Sequence, residues 1–210
     1  MITRDTYIEI NLNSIRDNVA KIVDAYKDYK YRVAVVKSDC YGHKGEQVVK
    51  AILAGGANYL TVSMFDEAMA LRKFWDGPIS LLVPCPLDMI DQCVEHNISI
   101  TVPDMDYLKQ VADKPVKLHL RVDVGDDFYN GPKTGEELRQ YYDYVQDRAA
   151  SIEAIYMHSY CTEDEEFTQE GFRRFESMIK AIPYETIPMI SVPNSLALVN
   201  YPKQPYANAF

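Results

Sequence analysis

Residues 32–49 read RVAVVKSDCYGHKGEQVV, and the residue that decides the fold is Lys37. Four of the five residues before it are apolar, as in a strand leaving a core. A polar turn comes next, and GEQVVKAILAGG then carries helical spacing that Gly55–Gly56 would end. The same alternation extends in both directions. Candidate strands fall at Tyr7–Leu12, Val33–Lys37, Tyr59–Ser63, Ile79–Val83, Ile98–Val102, Val116–Val122, Ile152–His158 and Pro188–Val192. Helical patterns such as SIRDNVAKIVDAY, FDEAMALRKFW and EELRQYYDYVQ lie between them, the first capped by Asn13 or Ser14.

β-branched runs without alternation predict strands covered on both faces, as in parallel sheets. Strand–helix repeats leave a doubly wound sheet or a (β/α)8 barrel. No GxGxxG follows an early strand, which removes the main support for the dinucleotide-binding sheet. The expectation is therefore an α/β chain forming a (β/α)8 TIM-type barrel. Residues 1–12 would supply a leading strand outside it, and residues 13–210 the barrel domain. Seven strands then remain before Phe210, and PYANAF is left as the start of an eighth, so closure at that strand stays open.

Composition narrows the function classes. A formal net charge of -9 argues against a nucleic-acid partner, which needs a basic face. Backbone amides and hydroxyls can still hold a cofactor phosphate locally. Cys40, Cys85, Cys93 and Cys161 show no CxxC or metal-ligand spacing, consistent with a reducing compartment. MITRDTYIEINL has no apolar run for a signal peptide, and no stretch reaches the ~20 apolar residues that cross a bilayer. No membrane partner and a cytoplasmic location are expected.

In parallel barrels, reactive groups sit at the carboxyl ends of strands. Lys37, His158, and Asn194 with Ser195 all fall there. Burial disfavours an ammonium, and a neutral amine can attack a carbonyl; equally, Lys37 could snorkel into water. Tyr41, Gly42 and His43 lie in the turn, where a phenol could bond a phosphate or plug the turn. His158 could stack on a planar ring or simply satisfy a carbonyl. Asn194 and Ser195 read as a phosphate-binding helix start or a plain N-cap. Asp123 and Gly125 make a turn or a site edge, Thr162 is a candidate cap, and His96 and His119 look ordinary. No helix-spaced histidine pair and no GxSxG elbow is present, so metal and serine hydrolysis are poor candidates.

These segments resemble the N-terminal barrel domain of the alanine racemase family, the fold-type III enzymes dependent on pyridoxal 5'-phosphate. YIEINLNSIRDNVAKI looks like the family's opening strand and first helix. AVVKSDCYGH is close to the family's AVVKANAYGHG and is the most specific match. GGANYLTVSMFDEAMALR, LRVDVG, MHSYCTED and PNSLAL come after it in order. The resemblance implies an isomerase acting on alanine or a related small amino acid. Lys37 would form the internal aldimine and serve as one of two racemisation bases, Tyr41 and Ser195 would hold the cofactor phosphate, His158 would lie against the pyridine ring, and Asn194 would stand nearby. It also implies a homodimer in the full-length form.

Three departures bear on that expectation. The family continues into a β-rich domain that supplies the opposite-face tyrosine, so this chain is expected to be a fragment, inactive as a racemase by itself. Phe210 falls on, or one residue short of, a family arginine that bonds the pyridine nitrogen. DVGDDFYNG replaces the family's DTGMGRLGF, with Phe128 in place of an arginine and Arg121 where members often carry lysine. A single-domain pyridoxal-phosphate homeostasis protein, or a catalytically dead barrel serving assembly or regulation, are the alternative readings.

Overall fold

The computed structural model describes residues 6–125 and 131–210. Seven strands run parallel in sequence order: β1 (Val33–Val35), β2 (Tyr59–Val62), β3 (Ile79–Leu81), β4 (Ile98–Val102), β5 (Lys117–Arg121), β6 (Ser151–Tyr156) and β7 (Met189–Ser191). Helices α1 (Leu12–Ala25), α2 (Gly45–Ala54), α3 (Phe65–Arg72), α4 (Ile90–Glu95), α5 (Met105–Val111), α6 (Gly135–Val145), α7 (Glu165–Ile179) and α8 (Ser195–Asn200) fill the connections or flank them. All pairings being parallel, each strand must return through a crossover, which these helices provide.

The sheet curls strongly. Tyr59 on β2 donates from its hydroxyl to Glu153 Oε2 on β6 over 2.7 Å, a bond that only a curved sheet allows between strands so far apart in order. Ala209 forms parallel bridges to both Tyr31, just before β1, and Ser191, in β7. The Phe210 amide donates to Tyr31 O at 3.1 Å, and the Ala209 amide to Ile190 O at 3.2 Å. The last residues thus lie between the first and last strands.

Two faces of each strand end in different environments. Leu60, Val62, Ile79, Leu81, Ile98, Ile100, Leu118 and Leu120 join the apolar layer beneath the helices. Thr61, Ser80, Ser99, Thr101, His119 and Arg121 face inward and are buried. This corrects the expectation of runs without alternation. YLTV and SITV do alternate, but both faces are covered, so small polar residues find partners inside: Thr61 Oγ1 lies 2.8 Å from Ser80 Oγ, and the Thr101 hydroxyl donates to the backbone Leu81 O at 2.7 Å.

The leading strand is a second correction. Residues 7–11 form no strand, and Leu12 already opens α1. The edge of β1 is taken by residues 208–210, so Tyr7 and Ile8 find no sheet edge and stay exposed. Caps also shift. Asn11, not Asn13 or Ser14, accepts the Ser14 amide at 3.0 Å, and Asp164, not Thr162, accepts the Phe167 amide at 2.9 Å. Gly55 does end α2, as expected. Cys85 and Cys93, apart in sequence, place their sulfurs 3.5 Å apart as free thiols. Among the described residues, no helix is long and apolar enough to cross a membrane.

Candidate active site

β1 ends at Val35, Val36 is buried, and Lys37 emerges half-buried at the carboxyl end of the strand. The Val36 amide donates to Thr61 O of β2 at 2.8 Å, which fixes the backbone just before the lysine. The segment after Lys37 is no ordinary turn. Ser38, Asp39, Cys40 and Tyr41 have φ of 52°, 53°, 55° and 54°, a run of left-handed backbone ended by Gly42 at φ 81°. Left-handed L residues cost roughly 1–2 kcal/mol each, so such a run persists only where its surroundings impose it.

Local bonds supply part of that constraint. The Cys40 amide donates to Val36 O at 3.2 Å, Gly42 to Ser38 O at 3.0 Å and Lys44 to Asp39 O at 3.1 Å. The His43 ring places Nδ1 3.0 Å from Cys40 O. Cys40 points into the core, where burial, then the Asp39 charge, push its thiol up to about 11. Tyr41 is thrown outward and is 60% exposed. A second constraint comes from Glu67 of α3, a residue that the sequence did not single out. It accepts the Ser38 amide on Oε1 at 2.5 Å and the Ser63 and Met64 amides on Oε2 at 2.8 and 3.0 Å. A glutamate three residues inside a helix start was the available signal, in SMFDEA.

His158 stands two residues beyond β6, with an exposed edge. Desolvation of the remainder of the ring, then the positive charges of Arg121 and Lys37, hold its imidazole below the ordinary value. A neutral ring beside two cations is therefore the favoured form, and Lys37, Arg121 and His158 share one electrostatic neighbourhood. Arg121 ends β5 and is 5% exposed. Asp123, equally buried, accepts the Gly125 amide at 2.8 Å and lies 3.4 Å from Lys133 Nζ, so it ties its own turn. Phe128 lies outside the described residues.

At the end of β7, Asn194 caps α8: its Oδ1 accepts the Ala197 amide at 2.8 Å, and its Nδ2 donates to Ser159 O at 2.8 Å. The Ser159 hydroxyl in turn donates to Val192 O at 2.9 Å. Both ends of the Asn194 amide are thus used in joining the loops after β6 and β7, which makes it a clip. Ser195, next in line, is exposed. Since Ala209 bridges to both sides, the loops after β7 and β1 flank one short segment, with Ser195 on one and Lys37 and Tyr41 on the other. Phe210 packs its ring 5.2 Å from Tyr29 and 6.1 Å from Tyr26, against the same apolar cluster.

The donor set suits pyridoxal phosphate: an amine for an aldehyde, a neutral flat imidazole for a ring, and exposed hydroxyls at Tyr41 and Ser195 for phosphate oxygens. Among the described residues, no cluster of His, Cys, Asp or Glu is arranged to hold a metal ion.

The fold defines a barrel-type α/β protein built on a curled seven-stranded parallel sheet, with Lys37 just past the carboxyl end of β1. The family model described as "Alanine racemase, N-terminal domain" matches residues 10–209, and the chain belongs to that family. Alanine racemase of Geobacillus kaustophilus is 32% identical over 208 residues, covering 94% of this chain and 53% of that protein. Alanine racemase of Halalkalibacterium halodurans is 29% identical over 213 residues, covering 96% and 55%. The crystal structure of alanine racemase from E. faecalis superposes with a TM-score of 0.87 at 26% identity, over 95% of this chain and 56% of that one. The chain spans about half the length of the curated relatives it matches.

Proposed function

We propose that this chain is the cofactor-binding barrel of a pyridoxal 5'-phosphate-dependent amino-acid racemase, acting on alanine or a similarly small amino acid. The observation that carries the reading is Lys37, half-buried at the end of β1 and close enough for its charge to act on His158, in a chain whose family match runs from residue 10 to residue 209. In the working protein, residues 208–210 would complete the eighth strand between β7 and β1. A cytoplasmic homodimer fits the family's chemistry.

Bound pyridoxal phosphate supplies an electron sink that acidifies the α-proton of an amino acid. Lys37 would hold the cofactor through Nζ, and its amine could take or return a proton on one face of the substrate. His158, kept neutral, would lie against the ring without competing for that proton. The exposed hydroxyls of Tyr41 and Ser195 would donate to the phosphate. Arg121, buried beside His158, adds positive charge where carboxylate and phosphate gather. Inversion needs a proton donor on the opposite face, a role that none of these residues fills.

The test is direct. Purified protein incubated with pyridoxal phosphate and borohydride should gain the cofactor's mass on the peptide containing Lys37, and Lys37→Ala should fold yet gain none. Labelling elsewhere, or equal labelling of Lys37→Ala, removes the assignment.

A further inference from the structure

We infer that Glu67 is the positioning residue for Lys37: its carboxylate pins the backbone immediately after the lysine to the start of α3 and so sets where the amine points. This rests on the reading of Lys37 as the cofactor-linked amine. The bonds of Glu67 go to backbone amides, so it acts through the chain that carries Lys37.

The geometry is a clamp with Lys37 in its jaws. On one side, the Val36 amide is bonded to Thr61 O of β2. On the other, the Ser38 amide donates to Glu67 Oε1 at 2.5 Å. The second oxygen of the same carboxylate accepts the Ser63 and Met64 amides, at the junction of β2 and α3. Thus β1 and β2 are locked together on both sides of Lys37, and one side chain closes the gap between their ends. The charge matters, because an ionised carboxylate offers acceptors on both oxygens and makes the stronger, shorter bonds. A neutral amide would have one acceptor and would face the remaining N–H with its own NH2.

The left-handed run explains why a clamp is required. With Ser38 to Tyr41 all at φ above 50°, the segment would relax toward commoner backbone once released. Relaxation would turn the Lys37 amine and move Tyr41 together, separating the two groups that must meet one cofactor. The clamp therefore couples a costly backbone to the placement of the nucleophile.

Glu67→Asp and Glu67→Gln test this. Aspartate keeps the charge near the helix start but is one methylene too short to span both strands, and glutamine keeps the length but not both acceptors. Asn11→Ala, which removes the α1 cap and none of the Glu67 bonds, controls for general loss of helix stability. Two readouts are taken on each protein: amide hydrogen exchange at residues 38–41 by NMR, and borohydride-trapped pyridoxal phosphate on Lys37. In Glu67→Asp, exchange should rise and trapping should fall, each by about tenfold or more, with amides of β4 and β5 unchanged. Glu67→Gln should fall between Asp and wild type, and Asn11→Ala should match wild type in both. Unchanged exchange at 38–41 in both Glu67 variants overturns the clamp. Raised exchange with undiminished trapping overturns its role in positioning Lys37. If the wild-type protein traps no cofactor, the reading of the site fails by itself, and the exchange arm still decides whether Glu67 holds the turn.

Discussion

Glu153 Oε2 lies 2.9 Å from His119 Nε2 inside the barrel, and the same oxygen accepts from the Tyr59 hydroxyl at 2.7 Å and the Ser99 hydroxyl at 2.5 Å. A break in strand register puts it there. Leu118 pairs with Ile152 while His119 pairs with Ala154, so Glu153 is the extra residue of a bulge in β6. Without it, neighbours Glu153 and Ala154 could not both turn inward, since successive strand residues alternate faces.

That network should govern acid stability. Burial raises the Glu153 carboxyl, but the His119 bond and charge, then the Ser99 and Tyr59 bonds, outweigh it and bring it from 4.5 down to about 2. A carboxyl depressed in the folded state contributes stability above its unfolded value, and that contribution is lost as pH falls through the folded one. Wild type should thus lose on the order of 3 kcal/mol between about pH 4.5 and pH 2 that Glu153→Gln, having no carboxyl, does not lose. Urea unfolding at a series of pH values measures both, and parallel curves for the two proteins would refute the assignment. At pH 7, Glu153→Ala should cost about 3 kcal/mol, because three buried donors lose their acceptor.

Seven of the eight expected strands, the parallel sheet and the Lys37 strand end were legible, because they depend on local apolar runs and turn residues. The interior network was not. His119 looked ordinary since its partners Tyr59 and Glu153 lie 60 and 34 residues away, and a bulge leaves no mark in a single sequence. The left-handed run at Ser38–Tyr41 was equally hidden, for SDCY contains no glycine to announce positive φ. Tyr7–Leu12 failed for the opposite reason: its apolar alternation is real, but whether an edge is free to receive it depends on residues 208–210, at the other end of the chain.

Tyr41 offers a test of the phosphate assignment that leaves the fold alone. Its ring is 60% exposed, so Tyr41→Phe should unfold within about 0.5 kcal/mol of wild type. Loss of one hydroxyl bond to a charged group should raise the dissociation constant for pyridoxal phosphate by roughly 10- to 100-fold. Equilibrium dialysis at fixed pH decides it. Equal affinity in the two proteins would move the phosphate elsewhere.

Gly55 marks a contact that any side chain would break. A Cβ there would stand 2.6 Å from Val19 Cβ and 2.7 Å from Arg16 O of α1. Gly55→Ala should cost about 2 kcal/mol through overpacking, although its φ of -75° suits alanine well. Thermal unfolding reads this, and Gly55→Ala with Val19→Ala should recover part of the loss. A single variant as stable as wild type would mean that α1 and α2 are free to move apart.

His158 links the site to pH. Desolvation first, then Arg121 and Lys37, hold its imidazole below 6.5 in the folded protein. The unfolded chain therefore takes up a proton sooner as pH falls, and folding is progressively disfavoured from about pH 6.5 down to the folded value, below which the effect is complete. His158→Phe keeps a flat ring and cannot be protonated, so the part of the acid slope that begins near pH 6.5 should vanish in that variant. Binding of pyridoxal phosphate should obey the same logic. In wild type, a protonated His158 pressed against a ring and two cations is disfavoured, so affinity should hold through the ordinary histidine range and weaken as pH falls below 6.5 through the lowered value of the folded protein. In His158→Phe, affinity should be flatter over that range. The measurement is a pair of binding curves at each pH. Identical pH dependence in the two proteins would show that His158 neither senses Lys37 nor covers the ring.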